Sequence, residues 1–361
     1  PVRITDDAHT DWEPMWAEDG RALYFHSDRG GSADLWRVPL DPETGAATGP
    51  PAPLTIGVTP AWESSLSADG TRLVGAMRTQ GGAIRAYRFD PRAARVLGPG
   101  ETLLESGNGL AQPEVSRDGR YFVYRTTRPR EVITTIDLES GDRRRLTDDD
   151  FRNRGPSWSR DGRWIAFYSN RGGPYQTWRM HPEGTDLHLL SESLSRQPRW
   201  SPVDDRLAVV TDRKDAGYAT VMFSADPAAA DPLAPWIQTG DPIDGFSVAA
   251  WSSDGRHLLG TTGWPATLHV HDLATGTFLE TDPVEIGDEN AAGWLPDNER
   301  ALFWSDELQR FATWRYATGE VELVEGLDSP PGIALVSPDG GTLYVVEDRV
   351  DGEIWMLTLE R

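Results

Sequence analysis

One short pattern recurs along this chain: an Asp-Gly turn that lies between two stretches of alternating apolar residues. It occurs at Gly20, Gly70, Gly119, Gly162, Gly255 and Gly340, and in degenerate form at Asp204 and Asn298. Asp-Gly between alternating runs predicts a β-hairpin, because both residues can take a positive φ. The eight copies follow one another at intervals of 42 to 51 residues, which is the period of a four-stranded propeller blade.

The fourth copy shows the repeating unit most clearly. Its strands, named A to D in every copy, read PSWS, WIAFYS, QTWRM and LHLLS. Apolar residues alternate along them, which indicates half-buried strands. Tryptophan recurs in strand A at Trp16, Trp158, Trp200, Trp251 and Trp294, and in strand C at Trp36, Trp178, Trp314 and Trp355. We expect these rings to pack between blades.

The two ends of the chain complement each other. The last copy has no strand D, whereas the opening residues PVRIT resemble a strand D without a blade. Closing a propeller in this way removes exposed sheet edges. We therefore predict one all-β domain over residues 1–361, an eight-bladed β-propeller of four-stranded blades. The blades cover about 11–55, 59–104, 111–147, 153–191, 197–239, 246–281, 290–325, and 331–361 with 1–5.

Composition excludes several classes of partner and site. The formal charge is -22, which disfavours nucleic acid and anionic membranes. Cysteine is absent, so disulfides and thiolate metal sites are excluded. The sequence has no signal peptide and no apolar run long enough to span a membrane, so we expect no membrane insertion by this chain. It starts without Met, which leaves room for a removed upstream segment. We expect a monomer.

Two stretches resemble a known family. WSRDGRWIAFYSNRGGPYQTWRMHPEG and IALVSPDGGTLYVVEDRVDGEIWMLTLE are similar to the WD40-like repeats of the TolB-like propeller family, and the resemblance covers essentially the whole chain. DPETGAATGPPAPLT is similar to C-terminal propellers of bacterial membrane-anchored Ser/Thr kinases. That likeness implies an extracytoplasmic or periplasmic sensor or interaction domain of a larger bacterial signalling protein. None of the kinase motifs is present.

In such a propeller strand A is innermost, and the residues eight and seven before each turn surround the mouth of the channel. The first two copies both place Trp-Glu there, and the fourth and fifth place Arg. Trp offers a stacking surface, Glu accepts hydrogen bonds and Arg binds carboxylate or phosphate. We predict that a small polar ligand or a peptide or protein binds at this mouth. The predicted ligand-binding residues are Trp12, Glu13, Trp62, Glu63, Gln112, Arg154, Arg196, Gln197 and Asn290.

The structural alternative is that the two tryptophans pack under neighbouring loops and that Glu and Arg pair across the rim. The B–C loops add further side chains to the same face, for which a solvated surface is the competing interpretation. They are Asp28, Arg29, Arg125, Arg128, Arg171, Arg213 and Trp264.

Motifs for catalysis are sparse. The sequence has no Gly-x-Ser-x-Gly elbow, no Cys nucleophile and no His-Glu-x-x-His helix, so no catalytic residue is predicted. His9, Asp11 and Glu13 at the mouth are weak candidates for a divalent cation such as calcium, or for acid–base work. The histidines are otherwise scattered over the blades, unlike the cluster of oligogalacturonate lyases.

Two other functions remain open. One is a propeller lyase or hydrolase with a metal or carboxylate site at the channel mouth, which a cluster of three metal-ligating side chains would favour. The other is a scaffold that binds a protein over its acidic rim. We expect non-catalytic binding, without a cofactor.

Overall fold

The computed structural model describes most of the chain. The described residues are 2–6, 11–27, 29, 34–55, 60–127, 130–213, 217–225, 235–282, 284–286, 292–327 and 332–358. The side chains of residues 60–63, 76–80 and 348–353 lie outside the description. Within the described ranges the regular secondary structure is all β, and no helix that could span a bilayer occurs there.

The first four repeats contain sixteen of the strands. Repeat one has β1 (Asp11–Trp16), β2 (Ala22–Ser27), β3 (Asp34–Pro39) and β4 (Ala52–Pro53). Repeat two has β5 (Pro60–Leu66), β6 (Arg72–Asp90), β7 (Arg95–Val96) and β8 (Glu101–Ser106). Repeat three has β9 (Leu110–Val115), β10 (Tyr121–Thr126), β11 (Ile133–Asp137) and β12 (Arg143–Arg145). Repeat four has β13 (Asn153–Trp158), β14 (Ile165–Ser169), β15 (Gln176–Met180) and β16 (His188–Leu189).

The last four repeats continue the pattern. Repeat five has β17 (Arg196–Trp200), β18 (Leu207–Arg213), β19 (Gly217–Ser224) and β20 (Ile237–Asp244). Repeat six has β21 (Phe246–Trp251), β22 (His257–Thr262), β23 (Ala266–Asp272) and β24 (Thr277–Phe278), followed by β25 (Val284–Ile286), which also pairs with β23. Repeat seven has β26 (Gly293–Trp294), β27 (Arg300–Ser305), β28 (Arg310–Arg315) and β29 (Glu320–Leu323). Repeat eight has β30 (Gly332–Val336) and β31 (Thr342–Thr358).

The Asp-Gly turns form the predicted hairpins. Their backbone conformation differs from that of a turn with two residues of positive φ. In repeat three the Gly119 N–H donates to the Ser116 carbonyl (2.8 Å), and only the glycine has a positive φ, of 73°. Asp118 instead accepts the Arg120 N–H (3.0 Å) and the Ser116 hydroxyl (2.6 Å) through its side chain. The turn is therefore an Asx-type turn in which the glycine alone uses the positive φ that both residues can adopt.

Repeats one and three to seven each fold into an antiparallel sheet in the chain order A, B, C, D. Repeats two and eight share one sheet, in which β31 pairs with β6. The Phe89 N–H donates to the Gly341 carbonyl at 2.9 Å. The cause is the length of the two strands, 19 residues in β6 and 17 in β31. Each continues as a strand through its expected B–C loop, so its two halves do not pair with each other as strands B and C would.

The closure predicted from the chain ends is not confirmed. Val2–Asp6 form no strand, and Ile4 packs against Leu23, Phe25 and Val38 of repeat one. The number of blades therefore stays a prediction.

The chain divides into two compact units. The smaller comprises residues 1–81, 128–130 and 349–361, and the larger comprises 82–127 and 131–348. In the larger unit the first strands of six sheets make contact in a cycle, in the order β30, β9, β13, β17, β21 and β26, with β26 returning to β30. Strand A is thus innermost in these six sheets, as expected.

Most tryptophans of the larger unit pack between sheets. Trp158, Trp200, Trp251 and Trp314 are buried, with at most 9% of their surface exposed. Trp158, for example, lies in one apolar cluster with Ile165 and Phe167 of its own sheet and Val123 of the preceding sheet. The expectation of core tryptophans is confirmed for these four. In the smaller unit Trp16 and Trp355 are 60% and 50% exposed.

Candidate functional site

The six innermost strands of the larger unit enclose a channel, a cavity of about 660 Å³. Small and apolar residues form much of its wall, among them Ala249, Ala250, Gly293, Ile333 and Leu335. Each comes from the same stretch of its repeat, because side chains on alternate positions of an innermost strand point towards the channel. The wall therefore has one comparable position in every sheet.

That position lies five residues before the turn. Through the six sheets it carries Glu114, Ser157, Arg199, Ala250, Gly293 and Leu335. Only two of these residues are charged, and their charges are opposite. Neither residue was predicted, because the predicted mouth residues lie seven and eight positions before the turn. In an alignment of the repeats on the turn, Glu114 and Arg199 are the two charged residues at the fifth position before it.

Glu114 is held by the neighbouring sheet. Its carboxylate accepts the Trp158 N–H at 2.7 Å and the Ser157 hydroxyl at 3.3 Å. Burial raises the pKa of Glu114, although the positive charge of Arg199 and these two hydrogen bonds oppose the shift. A carboxyl group in this position is suited to binding a cationic group or to exchanging a proton.

Arg199 occupies the equivalent place two sheets further on. Its Nε donates to the Ala249 carbonyl at 2.7 Å, and one terminal nitrogen donates to the Pro198 carbonyl at 3.2 Å. Burial lowers the pKa of Arg199, and the charge of Glu114 opposes that shift. Ser157 lies between the two sheets and also accepts the Trp200 N–H at 3.2 Å. The two charges are thus fixed by hydrogen bonds to successive sheets.

The mouth positions of repeats three, four and five lie in a β-bulge at the start of the innermost strand. Gln112, Gly155 and Gln197 have φ values of 49°, 56° and 52°, and each precedes a proline. The following proline disfavours the right-handed helical conformation, and the bulge turns the side chain. Gln112 consequently accepts the Gly155 N–H at 2.8 Å, and Gln197 accepts the Ser247 hydroxyl at 3.1 Å. Both glutamines link one sheet to the next.

Arg154 and Arg125 share one carboxylate at this mouth. Arg154 donates twice to Glu131 at 2.5 Å, and Arg125 lies 3.8 Å from the same carboxylate. The bonds to Glu131 raise the pKa of Arg154, whereas burial lowers that of Arg125. Arg125 also donates to Gln112 at 2.7 Å. Two guanidinium groups with one carboxylate leave this group of residues positively charged.

Arg196 forms an ion pair with Asp212 across its own sheet. Arg154 is thus paired with Glu131 and Arg196 with Asp212, whereas the structural alternative concerns the glutamates of the two Trp-Glu pairs. Binding of a ligand by these two residues stays a prediction, since an ion pair at a rim can exchange its partner for a ligand.

Comparisons with known proteins concern mainly the fold. No protein-family model matches the chain. Atu1656 of Agrobacterium fabrum is 37% identical over 99 residues, which is 27% of this chain and 34% of that protein. Dipeptidyl-peptidase 5 of Porphyromonas gingivalis is 33% identical over 74 residues, which is 19% of this chain and 11% of the peptidase. The matches thus span about a third and about a tenth of these two relatives.

The crystal structure of TolB from Acinetobacter baumannii superposes with a TM-score of 0.51 at 14% identity, covering 96% of this chain and 80% of that one. The chain has the TolB-like β-propeller fold. A structure of oligogalacturonate lyase in complex with manganese reaches a TM-score of 0.42 at 15% identity, covering 93% of this chain and 88% of the lyase.

The smaller unit of the TolB-like chain contains the first Trp-Glu pair. The Trp12 ring stacks on the His26 ring with centroids 5.8 Å apart, and Glu13 lies 3.7 Å from His26 Nε2. His26 is buried, donates to or accepts from the Ser64 hydroxyl at 3.0 Å, and has a pKa lowered by burial. One face of Trp12 is therefore occupied. The side chains of Trp62 and Glu63, and the whole of Asn290, lie outside the described residues.

The structure describes two of the three metal candidates, Asp11 and Glu13. Asp11 accepts two hydrogen bonds from Arg29, both of 2.9 Å. Burial alone would raise the pKa of Asp11, but hydrogen bonds from Ser27, Thr5 and Arg29 have the larger combined effect and lower it. His9 lies outside the described residues. Among the residues that are described, no three His, Asp or Glu side chains are placed to hold one ion.

Two B–C arginines of the TolB-like chain are structural. Arg171 donates to Asp149 (3.0 Å) and Asn153 (2.8 Å), and its guanidinium lies 5.4 Å from the ring centroids of both Phe167 and Trp178. Arg29 makes the equivalent contacts in repeat one, with Asp11 and the rings of Phe25 and Trp36. In both repeats the arginine fastens the B–C loop to the start of strand A and to strand C.

Proposed function

We propose that this chain is a non-catalytic binding propeller, the extracytoplasmic sensor or interaction domain of a larger bacterial signalling protein. Its ligand is a small polar molecule or a peptide that enters the channel from the mouth. The observation that supports this most is the pair of opposite charges in the channel wall, Glu114 and Arg199, each fixed by hydrogen bonds to neighbouring sheets. Fixed polar groups in a largely apolar cavity are typical of ligand sites.

The two charges suggest a dipolar ligand. A cationic group would lie against Glu114 and an anionic group against Arg199, as the two termini of a short peptide or the two groups of an amino acid would. Ala250, Gly293 and Leu335, at the same wall position of three further sheets, carry no charge and would contact the apolar part of such a ligand. The surplus positive charge of Arg125 and Arg154 at the mouth favours approach of the anionic end first.

A thermal-shift screen tests the proposal. Amino acids, short peptides with free or blocked termini, sugars and divalent cations would be added to the purified protein. A ligand that binds only the folded state raises the melting temperature by mass action. We expect peptides with free termini to do so, and the shift to disappear in Glu114→Gln and in Arg199→Lys. Arg163→Ala, on an exposed turn, is the matched control and keeps the shift.

Stabilisation that persists unchanged in both channel variants would refute the channel as the site. Stabilisation by blocked peptides equal to that by free ones would refute the dipolar ligand.

The second candidate is a propeller lyase or hydrolase. The observation that favours it is the position of the Glu114 carboxyl in the channel wall, where burial raises its pKa, because a raised pKa brings a carboxyl group closer to that of a general acid. Incubation with oligogalacturonate and with dipeptides, followed by mass spectrometry of the products, tests it. Turnover that Glu114→Gln abolishes would favour the enzyme over the binding propeller.

The finer features of the fold belong to the same proposal. The eight turns in the sequence support a single ring of eight blades in solution, and the predicted monomer and extracytoplasmic location go with the sensor interpretation. The pairing of β31 with β6 provides the means to test the ring.

A further inference from the structure

A second open pocket lies in the larger unit, outside the channel. Its volume is about 710 Å³, and it is bounded by the β22–β23 hairpin, by β25 and by the loop after β27. Its apolar wall comes from Ala266, Ile286 and Phe303. Neither the channel nor the mouth residues contribute to it. Its function is therefore independent of the function proposed above.

Trp264 stands at the rim of this pocket, at the tip of the β22–β23 hairpin. It is 92% exposed, more than any other large apolar side chain among the described residues. Gly263, with a φ of 73°, precedes it and Pro265 follows it, so the hairpin tip presents the ring outward on a restricted backbone. An indole held in water at a pocket rim offers its face to a ligand.

The charges of the pocket all have one sign. Asp282, Glu285, Asp306 and Glu307 line it, and no Lys, Arg or His is among the described lining residues. Asp306 accepts the Trp304 Nε1–H at 3.0 Å. Carboxylates that share one pocket repel each other, and a cation between them would remove that repulsion. A neutral sugar would not, and the pocket offers it few hydrogen-bond donors, of which the Ser305 hydroxyl is one.

We infer that this pocket binds the cationic group of an amine, with the ammonium or guanidinium group over the Trp264 ring and between the carboxylates. Cations are attracted to the face of an indole, and the attraction grows as water is excluded. Two sources carry this chemistry, a lysine- or arginine-bearing peptide segment and a free polyamine. The alkyl part of either fits the apolar wall.

Titration calorimetry with three probes tests the inference: an acetylated tri-lysine amide, spermidine, and an acetylated tri-glycine amide. We expect the two cationic probes to bind and the tri-glycine peptide not to bind. Affinity should fall with rising salt, because the carboxylates are exposed. Trp264→Ala should weaken binding about tenfold, and Trp264→Phe, which keeps an aromatic face, should weaken it less. Preference for tri-lysine over spermidine identifies a peptide source, and the reverse identifies a polyamine.

Trp16→Ala is the matched control, since it removes an exposed tryptophan of the smaller unit and should leave the affinity unchanged. The double variant Asp306→Asn/Glu307→Gln should bind the cationic probes more weakly. It should keep the fold, because both side chains are exposed. Equal affinity of Trp264→Ala and Trp16→Ala, or binding of tri-glycine as tight as that of tri-lysine, would overturn the inference.

Discussion

Single residues at the bulge connect neighbouring sheets of the larger unit. Gly155 illustrates how little space is available. A Cβ there would lie 2.8 Å from Cε1 of Tyr168, and the φ of 56° is one that side-chain-bearing residues rarely adopt. Its N–H is also the donor that Gln112 binds. At the corresponding position of repeats three and five, Gln112 and Gln197 adopt the same φ region, and their side chains bridge to the next sheet.

We expect Gly155→Ala to lower the free energy of unfolding by about 2–3 kcal/mol, because it combines a strained φ with a steric overlap. Gly141→Ala is the control, since Gly141 has a φ of 77° but no atom within 4 Å of the new Cβ. It should cost only about 1 kcal/mol. Urea denaturation of both variants measures the difference. Equal losses would mean that Tyr168 moves aside freely.

Glu114 should make stability depend on pH. Its pKa is raised in the folded protein, so the folded state holds the proton more tightly than the unfolded state. Between the unfolded pKa and the raised folded value, stability therefore falls as pH rises, by at most about 1.4 kcal/mol per pH unit. Glu114→Gln, which stays neutral, should lose this dependence.

Melting temperatures of wild type and Glu114→Gln across that pH range measure the effect, with the exposed Glu101→Gln as control. The change of the difference with pH is the informative quantity, because Glu114→Gln also leaves Arg199 without its opposite charge. A difference that stays constant with pH would contradict a raised Glu114 pKa.

At the scale of the elements, the turns and loops show what the sequence could and could not reveal. The hairpins were predictable because Ser-x-Asp-Gly is a local signal that needs no partner from elsewhere. The role of Arg171 was not. It depends on Asp149, Asn153 and two aromatic rings that only the folded sheet brings together. The same holds for Glu131, whose pairing with Arg154 joins two repeats.

Arg171→Ala should destabilise the protein by about 2–3 kcal/mol, since it removes three charge-assisted hydrogen bonds and three cation–π contacts from a side chain that is 11% exposed. Arg163→Ala removes an arginine that is 76% exposed and is bonded to Asp161 on the surface. Its effect should stay below about 1 kcal/mol. Chemical denaturation compares the two. A loss for Arg171→Ala no larger than that for Arg163→Ala would show that the loop is held by other contacts.

At the scale of the whole molecule, the number of blades in the propeller depends on which strand pairs with β31. The repeats predict that residues 342–348 pair on both sides within their own blade, whereas the structure pairs this strand with β30 of its own repeat on one side and with β6 on the other. The sequence could not decide this, because the outcome rests on whether β6 and β31 are interrupted by a loop near Gly81 and Asp351 or continue there as one strand. The alternation of apolar and polar residues along the chain predicts strands, but it does not identify which strands pair with each other.

The double variant Arg88→Cys/Thr342→Cys tests this pairing. Phe89 and Gly341 are hydrogen-bonded across the two strands, so residues 88 and 342 should face each other at a spacing that a disulfide tolerates. The chain has no other cysteine, so oxidation has one product. We expect quantitative cross-linking, seen by mass spectrometry under non-reducing conditions.

The single variants are the controls and should show no intramolecular bond. If the folded double variant keeps two free thiols under oxidising conditions, residues 88 and 342 belong to separate blades, as the eight-bladed ring requires.

The column of residues that lines the channel has a consequence for how such proteins diversify. One backbone position, repeated in six sheets, presents Glu114, Ser157, Arg199, Ala250, Gly293 and Leu335 to the same enclosed space. Gene duplication supplies the copies, and single-codon changes then alter the channel one sheet at a time while the turns and sheet cores stay as they are. Different combinations of residues at these six positions can therefore give different binding specificities while the fold is unchanged. The same six codons could be randomised to engineer new specificities.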